Sequence, residues 1–321
     1  MNVRKLAAIA IAAATALAVP ACSSNGASDG EYVTVDFATL GPSSLLWTFY
    51  IARDQGFFEA EGVTINQIVT QNSSLLVQSV ASGSAMIGIG QSDNLIKAVD
   101  EGASLVALGA TTAKNESRLI GAPGINDISE LEGQRVAAGA VSGGTGDMLI
   151  ALMQAGGLDQ GTYEIVAIPN SSDRIVGIQN QQLEGALLIA PYDSTALADG
   201  GIVLAVYEEP YVGQMLVANK TWADDNPDAA KRVTKAMVSA ANWLFDPANR
   251  EEAQKILGAA TETEAQATSD AYDFLVLGSV FAKDMKVSLE GMQNVINLGV
   301  QVHGGELREL DFETYVDESY L

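Results

Sequence analysis

The sequence predicts an α/β fold made of two similar lobes, each a mainly parallel sheet with helices on both of its faces. Short apolar runs typical of buried strands alternate with segments of helical periodicity, which is the pattern of βαβ units. This series of units occurs twice along the chain, once before residue 122 and again after residue 133. The repetition indicates two lobes of related architecture.

The first series begins after a short polar segment and is expected to form four strands, followed by a strand that leads into the second lobe. In chain order, these strands are predicted over 33–37, 63–69, 85–90, 105–110 and 118–121. Helical patterns separate them over 44–55, 73–81 and 93–101. Gly56 marks the end of the first helix.

The second series repeats this order and is followed by a return to the first lobe. Its strands are predicted over 134–138, 164–168, 185–189 and 202–207, and its helices over 147–155 and 172–181. A return strand is expected over 214–219, after which the chain is mostly helical. Asn226-Pro227 is a good helix start, because Pro is tolerated at the first helical position. Three later helices are predicted over 249–258, 262–275 and 288–302.

The N-terminus has the features of an export signal. Two basic residues precede an apolar run over 6–19, which is too short to span a bilayer because a span requires about 20 residues. A small residue precedes Cys22, and this arrangement resembles the lipobox of bacterial lipoproteins, in which the thiol accepts a diacylglycerol. An ordinary signal with an unrelated cysteine is the alternative. We therefore expect a lipoprotein signal peptide over 1–21 and a flexible tether over 22–31.

Composition excludes several classes of function. The chain has 17 lysine and arginine residues against 40 aspartate and glutamate residues, a net charge of −23, so nucleic acid is excluded as a partner. Cys22 is the only cysteine and His303 the only histidine, which excludes disulfides and metal sites built on His and Cys clusters. An all-carboxylate cation site stays open, although no spacing typical of an EF-hand occurs. No cofactor is expected.

Four segments match one protein family in the same order along the chain. Residues 52–63 resemble the family signature A-x-x-x-G-F-F-x-x-E-G-L-x-V, and residues 128–136 resemble D-L-K-G-K-x-V. Residues 183–192 are similar to a G-x-I/V-D-A segment followed by x-P, although Gly185 replaces the usual Asp. Residues 219–227 resemble the family's return into the first lobe. The chain thus resembles the solute-binding proteins of the nitrate, taurine, alkanesulfonate and thiamine-pyrimidine importers.

The resemblance implies a two-lobed type II periplasmic-binding-protein fold with a small-molecule ligand held between the lobes. It also implies an ABC importer as partner, made of a membrane permease pair and cytoplasmic ATPases. The lobes are expected over 32–120 plus 215–321 and over 121–214, the second including the hinge crossings. A lipid at Cys22 would hold such a receptor on the extracytoplasmic face of the cell membrane.

Ligands of open α/β sheets bind outside the carboxyl ends of the strands, where the next helices begin. Four loops occupy that position here, and two later helix starts lie on the same expected edge. The candidate ligand contacts are Ser43, Ser44, Trp47, Gln71, Gln91, Ser92, Ser142, Gly143, Gly144, Thr145, Arg174 and Tyr192.

The loop over 142–145 has the most specific chemistry of the four. Its glycines allow the backbone to turn with exposed N–H groups, and a helix follows, so N–H groups, hydroxyls and the helix dipole would form an anion cradle. It is not a Walker A loop, because no Gly-Lys-Ser/Thr ends it. A tight strand-to-helix turn capped by Thr145 is the alternative interpretation.

Two aromatic and two basic side chains complete the candidates. Trp47 and Tyr192 are expected at helix starts and could form apolar or stacking walls, with core packing as an equal alternative. Arg174 begins a helix on the same edge and could pair with a ligand carboxylate or sulfonate. For Arg118, near the lobe crossing, an exposed surface position is the preferred interpretation.

These observations favour an extracytoplasmic binding lipoprotein that captures a small organic anion, such as an alkanesulfonate, a taurine-like compound or an aromatic carboxylate. The alternative is a receptor for a neutral vitamin precursor, a thiamine pyrimidine or a riboflavin-like compound, held by Trp47 and Tyr192. An enzyme on the same fold is disfavoured, because residues 139–143 do not form a nucleophile elbow and His303 is the only histidine. A tethered lipoprotein that binds a protein partner is a third class.

Replacing Cys22 by Ala removes the thiol that lipid attachment requires. In a bacterial host with its own lipoprotein pathway, Cys22→Ala should move the protein from the membrane fraction to the medium or soluble fraction, as measured by fractionation and immunoblotting. Ser24→Ala keeps the thiol and should fractionate like the wild type. Retention of Cys22→Ala in the membrane at the wild-type level contradicts the anchor.

Overall fold

Residues 32–321 are described by the computed structural model. The signal peptide expected over 1–21, the tether expected over 22–31 and the lipid site at Cys22 lie outside these residues. Within 32–321, no helix combines the length and the apolar character that a bilayer span requires.

Ten β-strands are described, and each lies at or near its predicted position. Central strands such as Gly185–Ile189 are buried at every residue, which is why an uninterrupted apolar run identifies them. The bounds are β1 Val33–Thr39, β2 Val63–Val69, β3 Ile87–Gln91, β4 Leu105–Ala110, β5 Ser117–Gly121, β6 Arg135–Ala138, β7 Glu164–Ala167, β8 Gly185–Ile189, β9 Ile202–Val206 and β10 Gln214–Asn219.

The strands form two five-stranded sheets with the same topology. The first has the order β2-β1-β3-β10-β4 and the second the order β7-β6-β8-β5-β9. In each sheet the fourth strand of this order is antiparallel to its neighbours, and the other four run parallel to one another. The repeated topology confirms the two similar lobes and the mainly parallel sheets that the sequence predicts.

The pairing of β5 and β10 defines where the chain passes between the sheets. β5 pairs with β8 and β9 from Ser117 onward, so the second sheet begins before the expected lobe boundary at residue 121. β10 pairs with β3 and β4 from Gln214 and Met215 onward. The two crossing segments are therefore 111–116 and 207–213. Below, the first lobe is the first sheet with the helices before β5 and after β10, and the second lobe is the remainder.

Helices cover the faces of both sheets, most of them where helical periodicity predicts them. The short second helix was not predicted: Gly56 (φ +74°) ends the first helix and the next residue begins another. The bounds are α1 Trp47–Asp54, α2 Phe57–Ala60, α3 Ser73–Ala81, α4 Ser92–Asp100, α5 Gly144–Ala155, α6 Ser171–Gln179, α7 Tyr192–Ala198, α8 Lys220–Asp225, α9 Pro227–Leu244, α10 Arg250–Thr261, α11 Ala265–Tyr272, α12 Leu289–His303 and α13 Phe312–Tyr315.

Hydrophobic cores lie on both faces of the first sheet. One contains Trp47 and Phe49 and is enclosed by α1, α9 and α10. The other contains Leu76 and Leu95, and it continues into the second lobe, where α12 packs on both α4 and α5. A smaller core around Leu188 fills the rest of the second lobe. Continuous apolar packing therefore joins the lobes beside the crossing segments.

The two crossing segments are also hydrogen-bonded to each other. The Thr112 hydroxyl oxygen accepts from the backbone N–H groups of Gly213 at 3.1 Å and Gln214 at 2.9 Å. The backbone N–H of Thr111 donates to the Gln214 carbonyl at 3.0 Å. The Gln214 side chain, Nε2, donates to Glu116 Oε1 at 3.1 Å. These buried bonds fix the position of one crossing against the other.

Gly109 in β4 lies so close to the backbone of Met285 that no side chain fits there. A Cβ at Gly109 would stand 2.8 Å from the Met285 carbonyl oxygen. Gly109→Ala should therefore lower the free energy of unfolding, measured with urea, by about 1–3 kcal/mol. Gly299→Ala in α12 adds a Cβ with nothing within 4 Å, and should raise that free energy by about 0.5–1 kcal/mol. A Gly109→Ala variant as stable as the wild type contradicts this account.

Candidate ligand-binding site

A cavity of about 840 Å³ lies between the two lobes, at the carboxyl ends of the parallel strands. The first lobe lines it with residues that follow β1, β2 and β3, and the second lobe with residues that follow β6, β7 and β8. This is the position in which the sequence predicts the ligand. The candidate contacts that line it are Gln71, Gln91, Ser142, Gly143, Thr145 and Arg174.

Arg174 is the most unusual side chain of the cavity. It lies in α6 and is 1% exposed, and only its Nη2 has a partner, the Ser171 hydroxyl at 2.6 Å. Its Nε and Nη1 are buried without any hydrogen-bond partner. Burial lowers the pKa of Arg174 to about 10, although the charge of Asp173 opposes the shift. A buried donor without an acceptor is unfavourable, which makes Nε and Nη1 candidate donors to a ligand.

The glycine loop turns as predicted, but carboxylates of the protein itself occupy its N–H groups. Gly143 and Gly144 have φ of +73° and +41°, a region that favours glycine. The Gly143 N–H donates to Asp147 Oδ1 at 2.7 Å, and the Gly144 N–H bonds the carboxylate of Asp93 from the first lobe. In this structure the two N–H groups are thus engaged by the protein, and an anion cradle at this loop stays a prediction. Ser142 and Thr145 still face the cavity.

A second acid and the single histidine stand beside this loop. Asp147 lies in the first turn of α5, and its Oδ1 is 2.8 Å from Nε2 of His303, the last residue of α12. Both side chains line the cavity with Asp93. The cavity thus has an acidic end at the glycine loop, whereas Arg174 provides a buried positive charge.

The two aromatic candidates do not line the cavity. Trp47 is fully buried in the first-lobe core, where its Nε1–H donates to the Ala253 carbonyl at 2.8 Å. Tyr192 packs in the second-lobe core, and its hydroxyl donates to the Pro42 carbonyl at 3.1 Å. Both side chains therefore pack in the cores, which is the alternative that the sequence left open for them. Among residues 32–321, no Phe, Tyr or Trp side chain lines the cavity.

Four more candidates lie outside the cavity. Ser43 and Ser44 are buried at the start of the first helical turn, and the Ser44 N–H donates to the Ala190 carbonyl at 3.2 Å. The Ser92 hydroxyl donates to the backbone carbonyl of Val212 in the second crossing. Gly144 lines a smaller neighbouring cavity instead. None of these four residues is among those that line the large cavity.

Arg118 is neither a ligand contact nor a surface residue. Its Nη1 is 3.3 Å from Asp193 Oδ2, and its guanidinium lies 3.6 Å from the centre of the Phe274 ring. The ion pair is largely buried, with Asp193 at 1% exposure. Since Phe274 follows β10 in the chain, Arg118 joins the two lobes at their edge and takes no part in the cavity.

A cavity of about 10 Å³, here called the hinge cavity, lies beside the crossing segments. Asp93 and Glu116 both line it, together with Tyr211 from the second crossing and the start of α5. Glu116 is 3% exposed, and its Oε2 has no hydrogen-bond partner. Neither carboxylate is among the ligand contacts that the sequence predicts. Asp93 directly follows Ser92, a predicted contact, in the sequence. Glu116 comes close to the other residues of the hinge cavity only because the chain crosses between the lobes there.

Burial raises the pKa of both carboxyls in the hinge cavity. Burial raises the pKa of Asp93 to about 6. The hydrogen bond from Gly144 opposes this shift, and the negative charge of Asp147 adds to it. Burial also raises the pKa of Glu116 to about 6. The hydrogen bond from Gln214 opposes this shift, and the negative charge of Asp93 adds to it. Both acids are therefore held in surroundings that disfavour their charged form.

Comparison with known proteins gives the same fold. A protein from Bordetella bronchiseptica RB50 has a TM-score of 0.77 at 17% identity, covering 89% of this chain and 95% of that chain. The alkanesulfonate-binding protein SsuA from Xanthomonas axonopodis pv. citri, bound to MOPS, has a TM-score of 0.71 at 13% identity, covering 89% and 99%. The periplasmic nitrate-binding protein NrtA from Synechocystis PCC 6803 has a TM-score of 0.68 at 13% identity, covering 90% and 87%.

Two lobes with a cavity between them define a protein with the periplasmic-binding-protein fold, as the motifs predicted. The family model described as NMT1/THI5 like matches residues 46–250, more than half of the chain. The chain therefore belongs to the NMT1/THI5-like family. No curated protein sequence matches the chain significantly.

Glu116 should make the stability of the protein fall as the pH rises. In the unfolded chain its carboxyl titrates near the ordinary pKa of 4.5, and in the folded protein near 6. The folded state binds this proton more tightly, so the contribution of Glu116 to stability is full below pH 4.5 and is lost as the pH rises through 6. The ionisable groups that face it, Asp93 and Tyr211, supply no positive charge.

Glu116→Gln removes this buried charge and keeps an acceptor for Gln214. Urea unfolding is measured in choline chloride buffer with a chelator. The free energy of unfolding of the variant should exceed that of the wild type by about 2 kcal/mol at pH 7.5, and the two should be about equal at pH 4. Glu132→Gln removes an exposed charge and should leave the pH profile unchanged. Parallel profiles for Glu116→Gln and the wild type contradict the assignment.

Proposed function

We propose that this chain is the extracytoplasmic substrate-binding lipoprotein of an ABC importer, and that it captures a small organic anion between its two lobes. The observation that carries the ligand class is Arg174, a buried guanidinium with two unpartnered donor atoms in the wall of the cavity. The proposed partners are a permease pair and its ATPases. Lipid at Cys22 would tether the protein to the membrane.

Arg174 supports an oxyanion ligand, because a guanidinium donates charge-assisted hydrogen bonds to a carboxylate or sulfonate. Ser142, Thr145 and Asn170 add hydroxyl and amide groups to the same cavity. An anionic group beside the guanidinium would accept from a donor that the folded protein leaves unmatched. The positive charge of Arg174 would therefore balance the charge of the ligand within the cavity, although the chain as a whole is acidic.

The remaining walls support an organic tail on that anion. Leu40, Leu45, Val141, and Ile189 line the cavity with apolar surface, and its volume of about 840 Å³ lies in the usual range for small-molecule sites. A bare inorganic anion would leave this surface in contact with water. An alkanesulfonate or a taurine-like compound fits the combination, and a taurine-like amine could face the acidic end.

The neutral vitamin precursor is less well supported than the anion. That alternative depended on Trp47 and Tyr192 as stacking walls, and both side chains are engaged in the lobe cores. A neutral ligand would also leave Arg174 without an anion in a buried site. An aromatic carboxylate keeps the charge match, but it would find aliphatic walls only.

A thermal-shift panel of alkanesulfonates, taurine-like amines, aromatic carboxylates and neutral pyrimidines tests the ligand class. A ligand at about 100 times its Kd should stabilise the protein by about 2.7 kcal/mol. Calorimetry with the best anionic ligand should then show binding to Arg174→Gln weaker by about 1.5–3 kcal/mol, roughly tenfold or more, because a hydrogen bond to a charged group is lost.

Arg135→Gln is the matched control, since it removes a positive charge from the same lobe at an exposed site away from the cavity. It should bind like the wild type. The ligand-free Arg174→Gln protein should be at least as stable as the wild type, because it loses a buried charge with unmet donors. Equal affinities of Arg174→Gln and the wild type would sink Arg174 as the anion site, and a panel with only neutral hits would favour the vitamin precursor.

A further inference from the structure

The hinge cavity joins three parts of the molecule at one point. Glu116 belongs to the first crossing segment, Tyr211 to the second, and Asp93 to the first turn of α4 in the first lobe. Gly144, at the start of α5, brings the second lobe to the same point. Its volume of about 10 Å³ is about that of one water-sized particle. Whatever occupies it touches both crossings and both lobes.

Two carboxylates face this small space without a positive partner. None of the described residues that line it is Lys, Arg or His. Glu116 is almost fully buried, and its Oε2 accepts no hydrogen bond, so its charge is met only by the Gln214 amide at Oε1. An unpaired buried carboxylate is strongly disfavoured unless it is neutralised.

Several of the other residues that line the cavity, among them Gln91 and Asn115, carry side-chain oxygens, whereas Met148 is apolar. A Cβ built on Gly144 would stand 3.1 Å from both oxygens of Asp93 and 3.2 Å from Oε1 of Gln91, so these three oxygens converge beside the loop. The Asn115 Nδ2 group donates a hydrogen bond to the Ser117 carbonyl oxygen, and the Asn115 Oδ1 atom takes no part in that bond. Carboxylate and amide oxygens in this combination are the ligands of hard cations.

We infer that the hinge cavity binds one hard cation, Ca²⁺ or Na⁺, through the carboxylates of Asp93 and Glu116 and neighbouring neutral oxygens. Residues 32–321 hold no group of three or more His, Cys, Asp or Glu side chains arranged for a metal. The neutral oxygens must then complete the coordination, which predicts the modest affinity of extracellular cation modules. The inference concerns the ligand-free protein and does not depend on the solute that the importer takes.

An ion here would link the cation to the ligand site. Asp93 lines both cavities, and its carboxylate stands at the acidic end of the large one. Neutralising it weakens the repulsion that a ligand anion meets at that end. Because the ion also touches both crossings, it would hold the lobes at the separation that the cavity requires.

Two arms of one experiment distinguish the cations. The purified protein, freed of metal by a chelator and kept in choline chloride at pH 7.5, is titrated calorimetrically with CaCl₂. In parallel, its thermal unfolding midpoint is compared in NaCl and in choline chloride at equal ionic strength. We expect either saturable binding of one Ca²⁺ or a rise in the midpoint specific to Na⁺. No response in both arms overturns the inference, because a buffering proton or a water then occupies the cavity.

Two variants locate the ion. Glu116→Gln and Asp93→Asn should each weaken the cation response by roughly tenfold or more, since even outer-shell changes at metal sites alter affinity by about 10–100-fold. Glu132→Gln removes an equal charge from the surface and should respond like the wild type, which controls for general attraction to an acidic protein. Asp93→Asn keeps the test valid should Glu116→Gln disturb the crossing. An undiminished response in both cavity variants places the ion elsewhere and overturns the assignment.

Discussion

The buried hydrogen bonds between the two crossing segments are the constraint on which the rest of the molecule depends. Thr112 receives the N–H groups of Gly213 and Gln214, so the points at which the chain leaves and re-enters the first lobe are fixed to each other. In this arrangement the loops at the carboxyl ends of the two sheets line one cavity. The position of Arg174 across the cavity and the meeting of Glu116 with Asp93 both follow from that arrangement.

Much of the fold could be predicted from the sequence, because each strand depends on local apolar character. Val63–Val69 and Leu105–Ala110 have the predicted bounds, since polar or glycine-containing turns flank both runs. The point at which the chain passes from one lobe to the other was harder to predict. β5 looked like a strand from its own residues, but its place in the second sheet depends on pairing with β8 and β9, which lie far along the chain.

The site could be predicted in part, and the division has a physical reason. Gln71, Gln91 and Arg174 follow strand ends or begin helices, and the geometry of a parallel sheet alone brings such positions together. For Trp47 the sequence shows an apolar helix start and cannot tell which face is buried; the contact with Ala253 on a helix 206 residues away decides it. The pairing of Asp93 with the glycine loop is likewise a contact between lobes.

The carboxylates at the glycine loop have a consequence for selectivity against inorganic salts. Two acids, Asp93 and Asp147, and two bases, Lys97 and Arg174, line the large cavity, so the formal charges of these four side chains cancel. A singly charged organic ion can be bound by the guanidinium while its uncharged part meets the acids. Phosphate and sulfate bring a second negative charge and no hydrocarbon, and the acids at the helix start repel it. A receptor of the proposed organic anion with these walls would discriminate against mineral anions by charge number rather than by size.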